Sequence, residues 1–164
     1  MVMAHLDAAY NLARWLTGGN EDAEDVVQEA CLRAFRFFDG FRGGDGRAWF
    51  LSIVRNTSYT WLQRNKMHQQ SASYNEELHG TVTDGDDPEQ HLLRSVNAQL
   101  AREALASLPV EFREIVVLRE MEDMAYKEIA RVVGVPLGTV MSRLARARQR
   151  MREYLSIHAE GATP

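Results

Sequence analysis

Apolar positions recur along this chain at helical spacing, and no stretch sustains the alternation a strand needs. A short helix is predicted over 4–16, ended by Gly18-Gly19. The next runs to about Phe38, with Asn20 or Asp22 as its cap and Glu21, Asp22, Glu24 and Asp25 favouring its positive end. Val27, Ala30, Cys31, Ala34, Phe35 and Phe38 are its expected buried side, which makes Cys31 a small core residue. Asp25, Gln28, Glu29 and Leu32 fall at i, i+3, i+4 and i+7 on another face. A leucine among acids and an amide there marks either an ordinary solvated face or a protein-docking one.

The segment 39–46 holds four glycines but lacks the Gly-Lys-Ser/Thr ending of a phosphate-cradling loop. A helix over 47–64 follows, with Trp49, Phe50, Ile53, Val54 and Thr57 turned inward. Arg47, Arg55, Asn56, Tyr59, Trp61, Arg64 and Lys66 interleave cations, an amide and rings. Unstacked bases rest on rings while cations hold phosphates, so this mixture suits single-stranded nucleic acid. Trp49 reads as core; Trp61 fits core and stacking equally.

Residues 124–152 read as helix, tight turn, helix. Tyr126, Ile129, Ala130 and Val133 make one apolar stripe, Gly134 ends it, and Pro136 cannot prolong it. Val140, Leu144, Ala147 and Met151 make the second stripe. Thr139, Arg143, Arg146 and Arg150 lie on one flank, Met141, Ala145, Arg148 and Arg152 on the other, with Ser142 and Gln149 opposite the core. Residues 138–155 carry five Arg against one Glu. This is a helix-turn-helix pattern, which offers its second helix to the major groove. An amphipathic hairpin with a solvated basic face is the plainer alternative.

Net charge over 164 residues is −4, unexpected for a nucleic-acid binder, but the excess is local. Residues 67–100 hold one base, Arg94, against six acids: Glu76, Glu77, Asp84, Asp86, Asp87 and Glu89. The polar, Gly- and Asp-rich composition there predicts a linker. The fold class is therefore all-α: two small helical domains, 1–66 and 101–164, joined by a flexible acidic linker over 67–100, with a helix-turn-helix in the C-terminal one. Affinity for free DNA should be modest, since it grows with the phosphates neutralised, which points to help from a partner.

The single cysteine permits no intrachain disulfide, and no apolar run approaches the ~20 residues a membrane span requires. The N-terminus lacks signal-peptide character. A cytoplasmic protein without membrane insertion is expected. The five histidines are scattered without metal-ligand spacing, and Ser142 has no nearby histidine to activate it. No enzyme, metal, cofactor or small-molecule substrate is expected.

Two series of residues, in this order, resemble the extracytoplasmic-function group of bacterial sigma factors within the sigma-70 family. They are Asp22-Ala-Glu-Asp-Val-Val-Gln-Glu-Ala30, Phe41-Arg-Gly-Gly44 and Trp49-Phe50-x-x-Ile53-x-x-Asn56, then Leu105-x-x-Leu108-Pro109-x-x-x-Arg113, Tyr126-x-Glu128-Ile129-Ala130 and Val135-Pro136-x-Gly138-Thr139-Val140-x-Ser142-Arg143. The likeness covers about 5–66 and 101–155.

The resemblance implies roles. Asp25, Gln28, Glu29 and Leu32 would dock on the clamp helices of core RNA polymerase. The loop Asp39–Gly46 with Asn56, through Asp39, Phe41, Arg42, Arg55, Asn56, Tyr59 and Trp61, would capture a base flipped from the −10 strand. Thr139, Ser142, Arg143, Arg146 and Gln149 would read the −35 element. The linker would follow the polymerase channel. An anti-sigma factor is the implied regulator. Three departures stand out: a short N-terminus, Met141 where a basic residue is common, and no added C-terminal domain after His158, which would leave control to a separate protein. A helix-turn-helix repressor or response-regulator-like protein, dimeric on palindromic DNA, is the competing function. The Asp-x-x-Gln-Glu face and the two unlike blocks weigh against it.

Overall fold

The computed structural model describes residues 2–69 and 88–162, and these form helices and turns without a strand among them. After a 3-10 turn at Val2–His5 come α1 (Leu6–Thr17), α2 (Asn20–Arg36) and α3 (Gly46–Gln69). The second group is α4 (Pro88–Ala106), α5 (Val110–Val116), α6 (Tyr126–Val133) and α7 (Leu137–Ala162). The all-α expectation holds. The central part of the expected linker, 70–87, lies outside the described residues. At its margins helix replaces the anticipated coil, since α3 runs through Gln69 and α4 begins at Pro88, where a proline suits a first helical position.

Helices α1, α2 and α3 pack mutually, with alanine-rich stripes on α1 and α2 and large apolar side chains on α3. Ala9, Leu12, Ala13 and Leu16 of α1 meet Ala23, Val26, Val27, Ala30 and Ala34 of α2, closed by Phe50, Leu51 and Val54 of α3, all buried. Alanine on facing stripes lets helix axes approach and leaves the large side chains to fill the centre. The α2 face differs from the expected one in two places. Phe35 is 78% exposed and Phe38 is 50% exposed. The stripe through Ala23, Val27, Ala30 and Ala34 points at α1 and α3, while Phe35 lies off it on a side that no helix covers. Phe38 falls beyond the helix end in a 3-10 turn. Cys31 is half-buried, and burial raises its thiol above the ordinary range.

The cap differs too. Extended Gly19 precedes α2 without a side-chain cap bond, so neither Asn20 nor Asp22 caps it. Both lie inside the first turn, where the Glu21 and Asp22 carboxylates still favour the positive helix end.

In the C-terminal module α5 passes into a π-turn at Val117–Met121, after which α6 and α7 form the helix-turn-helix. Gly134 sits at φ +72°, the left-handed conformation that ends α6 and that a β-carbon disfavours. Ile129, Val132 and Val133 of α6 and Val140, Leu144 and Ala147 of α7 are buried, with Met151 packed against them. The two modules do not stand apart. Helix α3 packs on α6 and α1 on α5, so the buried residues of both form one continuous cluster.

Candidate functional site

Three surfaces carry the candidate residues. The first is the outer face of α2. Asp25 and Gln28 are exposed, Glu29 is half-buried and accepts a hydrogen bond from Arg33 at 2.9 Å, and Leu32 is 69% exposed. The face therefore presents the leucine among polar groups, as the spacing requires. Phe35, one turn on from Leu32, and Phe37 extend the apolar surface. Periodicity had assigned Phe35 to the core, and only its excess over a stripe already filled by alanines could have signalled otherwise. Exposed large apolar side chains grouped near one another are what an interaction surface would present.

The second surface joins the glycine loop to α3. Gly43 and Gly44 adopt φ +83° and +92°, which turns the chain sharply back toward the start of α3. Asp45 Oδ1 accepts the Ala48 N–H at 3.1 Å and so closes the first turn of that helix. The turn brings the Phe41 ring to 4.9 Å from Trp49, with Phe38 6.2 Å from Phe41 and 6.3 Å from Trp49. Beside them lies an open cavity of about 350 Å³, lined by Phe41, Arg42, Asp45, Trp49, Ser52 and Arg131 among others. Trp49 packs against the core as expected and also forms a wall of this cavity. Asp39 and Arg42 are exposed, and Phe41 is half-buried.

Further along α3, Arg55, Asn56, Tyr59 and Trp61 follow the cavity without lining it. Asn56 is exposed and accepts a bond from Arg55 Nη1 at 3.3 Å. The Arg55 guanidinium stacks 3.9 Å over the Tyr59 ring. Its other nitrogens donate to Glu114: Nε to Oε2 at 2.9 Å and Nη2 to Oε1 at 3.3 Å. Glu114 is fully buried. Burial pushes its carboxyl above the ordinary range, and the bond from Arg55 opposes the shift. Burial likewise raises the Tyr59 hydroxyl, with the neighbouring Glu114 charge adding to it. Trp61 is half-buried and packs against the core.

The third surface is the outer side of α7. Ser142, Arg146 and Gln149 are exposed, Thr139 and Arg143 half-buried. Ser142 Oγ donates to the Thr139 carbonyl at 3.1 Å, and Gln149 donates to Glu153 at 3.4 Å. The arginines differ in freedom. Arg148 donates to Glu120 at 2.6 Å, and Arg150 lies 4.9 Å over the Phe112 ring. Arg146 is exposed on the flank of the buried stripe, where a groove contact can be placed. Met141 is half-exposed beside them.

What the sequence did not reveal is Glu114. A glutamate at a position without a motif reads as solvated, and its partner Arg55 lies 59 residues earlier. Among the described residues no cluster of three His, Cys, Asp or Glu could hold a metal ion, and no helix is long and apolar enough to cross a membrane.

Residues 1–67 match the family described as Sigma-70 region 2, and residues 98–151 match Sigma-70, region 4. The chain is 36% identical over 159 residues to the ECF RNA polymerase sigma factor SigE of Mycolicibacterium smegmatis, covering 97% of this chain and 62% of SigE. The Bacillus subtilis RNA polymerase sigma factor YlaC is 33% identical over 83% of this chain and 79% of its own length. The ECF RNA polymerase sigma-E factor of Escherichia coli K12 is 33% identical over 84% of this chain and 75% of its own. Among solved structures, the sigma factor RpoE from Bartonella quintana, crystallised with the anti-sigma factor NepR, superposes with a TM-score of 0.76 at 27% identity, over 95% of this chain and 94% of that one. CnrH in complex with the cytosolic domain of CnrY shares the fold, with a TM-score of 0.66 at 24% identity, over 95% and 85% of the two chains. With both regions matched in order and kinship extending across them, the chain belongs to the ECF RNA polymerase sigma factors of the sigma-70 family, initiation factors without catalysis of their own.

Proposed function

We propose that this sigma factor brings core RNA polymerase to promoters by holding the enzyme with one surface and two DNA elements with the others. Asp25, Gln28, Glu29 and Leu32 dock on the polymerase clamp helices. Asp39, Phe41, Arg42, Arg55, Asn56, Tyr59 and Trp61 take the −10 strand, and Thr139, Ser142, Arg143, Arg146 and Gln149 read the −35 element. Opening a duplex costs a few kcal/mol, and a receptor for the extruded base offsets part of that while selecting its identity. The observation that carries this reading is the Phe38–Phe41–Trp49 cluster beside an open cavity at the head of α3, where an unstacked base finds rings and Arg42.

The acids of the linker, Glu76, Glu77, Asp84, Asp86, Asp87 and Glu89, lie in or just beyond the undescribed segment and follow the polymerase channel in this reading. The protein acts in the cytoplasm, where the polymerase is. A separate anti-sigma factor covers its working surfaces, a reading supported by the likeness to RpoE bound to NepR. The test is transcription with purified core polymerase on a promoter library, with the transcripts sequenced. Discrete start sites that depend on the chain are expected. Binding to palindromic duplexes as a dimer, without polymerase, would favour a repressor instead.

A further inference from the structure

We propose that Glu114 is an internal latch. Its carboxylate occupies Arg55 and holds the two modules closed, so that the polymerase-free chain cannot offer the Arg55–Tyr59 face of α3 to DNA. The inference rests on the assignment of that face to the −10 strand.

Glu114 belongs to α5 of the C-terminal module and Arg55 to α3 of the N-terminal one, so their two hydrogen bonds cross between modules. A carboxylate gripped by Nε and Nη2 of a guanidinium uses the donors that a phosphate would use. Arg55 therefore serves Glu114 or a nucleic-acid strand, not both. The charge of Arg143 on α7 adds a weaker favourable contribution to the same carboxylate.

Beside the apolar packing of the two modules, further polar contacts cross the same joint. Arg113 Nη1 donates to the Trp15 carbonyl at 2.8 Å, while its Nε is buried without a partner. The Tyr59 hydroxyl is likewise buried beside Glu114, without a hydrogen bond of good geometry. Arg47 donates to Glu128 at 3.0 Å and to the Glu122 carbonyl at 3.3 Å, and Asn11 donates to Glu122 at 2.9 Å. Arg131 of α6 reaches the wall of the loop cavity, so the C-terminal module also borders the proposed base receptor.

A buried ion pair sets register more than it adds stability, because desolvation offsets most of the attraction. An interface with the buried Arg113 Nε unpaired and Tyr59 poorly bonded is less stable than a fully satisfied one. These are the properties of a joint that closes in one register and still yields to a competitor. Core polymerase, by engaging the outer face of α2 and drawing the modules to separate DNA elements, supplies the work of opening.

The test uses the full chain with Glu114→Gln, which keeps the side-chain volume and removes the charge. Small-angle scattering reads module separation, and fluorescence anisotropy reads binding of a labelled random-sequence single-stranded DNA. Opening raises the competent fraction, so Glu114→Gln should expand the free chain and tighten DNA binding about tenfold. Transcription by the assembled holoenzyme should remain at the wild-type level. Glu128→Gln, at a half-exposed site, loosens the same interface with little risk to folding and should give a smaller expansion. Unchanged dimensions in both variants would overturn the latch, as would loss of holoenzyme activity in a folded Glu114→Gln chain. If Glu114→Gln does not fold, an unexpanded Glu128→Gln chain overturns it alone. Expansion without tighter DNA binding would keep the clasp but refute its shielding role, and would count against Arg55 as a −10 contact.

Discussion

Asn56 stands exposed on α3 with its carboxamide oxygen already oriented by Arg55, which leaves its amide donors free for a base edge. Replacing it with alanine should weaken promoter opening, measured by permanganate reactivity of unpaired thymines, while binding to a −35 duplex stays near wild type. Equal loss in both assays would remove Asn56 from the −10 site. On α7 the arginines should separate by their intramolecular partners. Arg146→Ala should cost about 1–3 kcal/mol in −35 binding if Arg146 reads a base. Arg148→Ala should cost less, because Glu120 already occupies that guanidinium and must be displaced for it to reach DNA. Titrations of the two variants against one duplex at several salt concentrations check the order, and the smaller salt slope identifies a lost phosphate contact.

Two substitutions separate the docking face from the fold it stands on. Leu32→Glu alters a side chain 69% exposed on α2, so folding stability should stay within about 0.5 kcal/mol while core polymerase binding falls sharply. Phe50→Ala empties the middle of the three-helix core, where the ring is fully buried, and should cost about 3–5 kcal/mol by denaturant unfolding. Destabilisation by Leu32→Glu would mean that the leucine packs inward. The helices and the helix-turn-helix were legible in the sequence because their apolar stripes keep a period of 3.6 and Gly134 marks the turn between α6 and α7. Period alone names a face, but not how wide a neighbouring helix covers it. Hence Phe35 and Phe38 read as core yet face outward, and Trp49 lines a cavity as well as packing on the core. The α2 cap was misplaced because Asn20 and Asp22 compete with a glycine that needs no side chain. The buried Glu114 was illegible for a different reason: its cost is met by a cation in the other module, a pairing that no local pattern encodes.

The distribution of charge over the whole chain favours assembly over solitary DNA binding. The negative excess is concentrated in 67–100, while 138–155 carries a local +4 on the outer helix. Converting Glu76, Glu77, Asp84, Asp86, Asp87 and Glu89 to their amides should impair early transcript synthesis in abortive-initiation assays and leave polymerase affinity nearly intact. Unchanged initiation would show that the linker acids are inert. The closed packing of α3 on α6 and of α1 on α5 makes the same point structurally, since modules folded against each other cannot span two separated promoter elements until something parts them. The deciding measurement is direct association of the purified full-length chain with core RNA polymerase, followed by sedimentation with the wild type and with Leu32→Glu. The wild type should co-sediment as a stoichiometric complex and the variant should not. A folded wild-type chain that remains free of the enzyme would contradict the account.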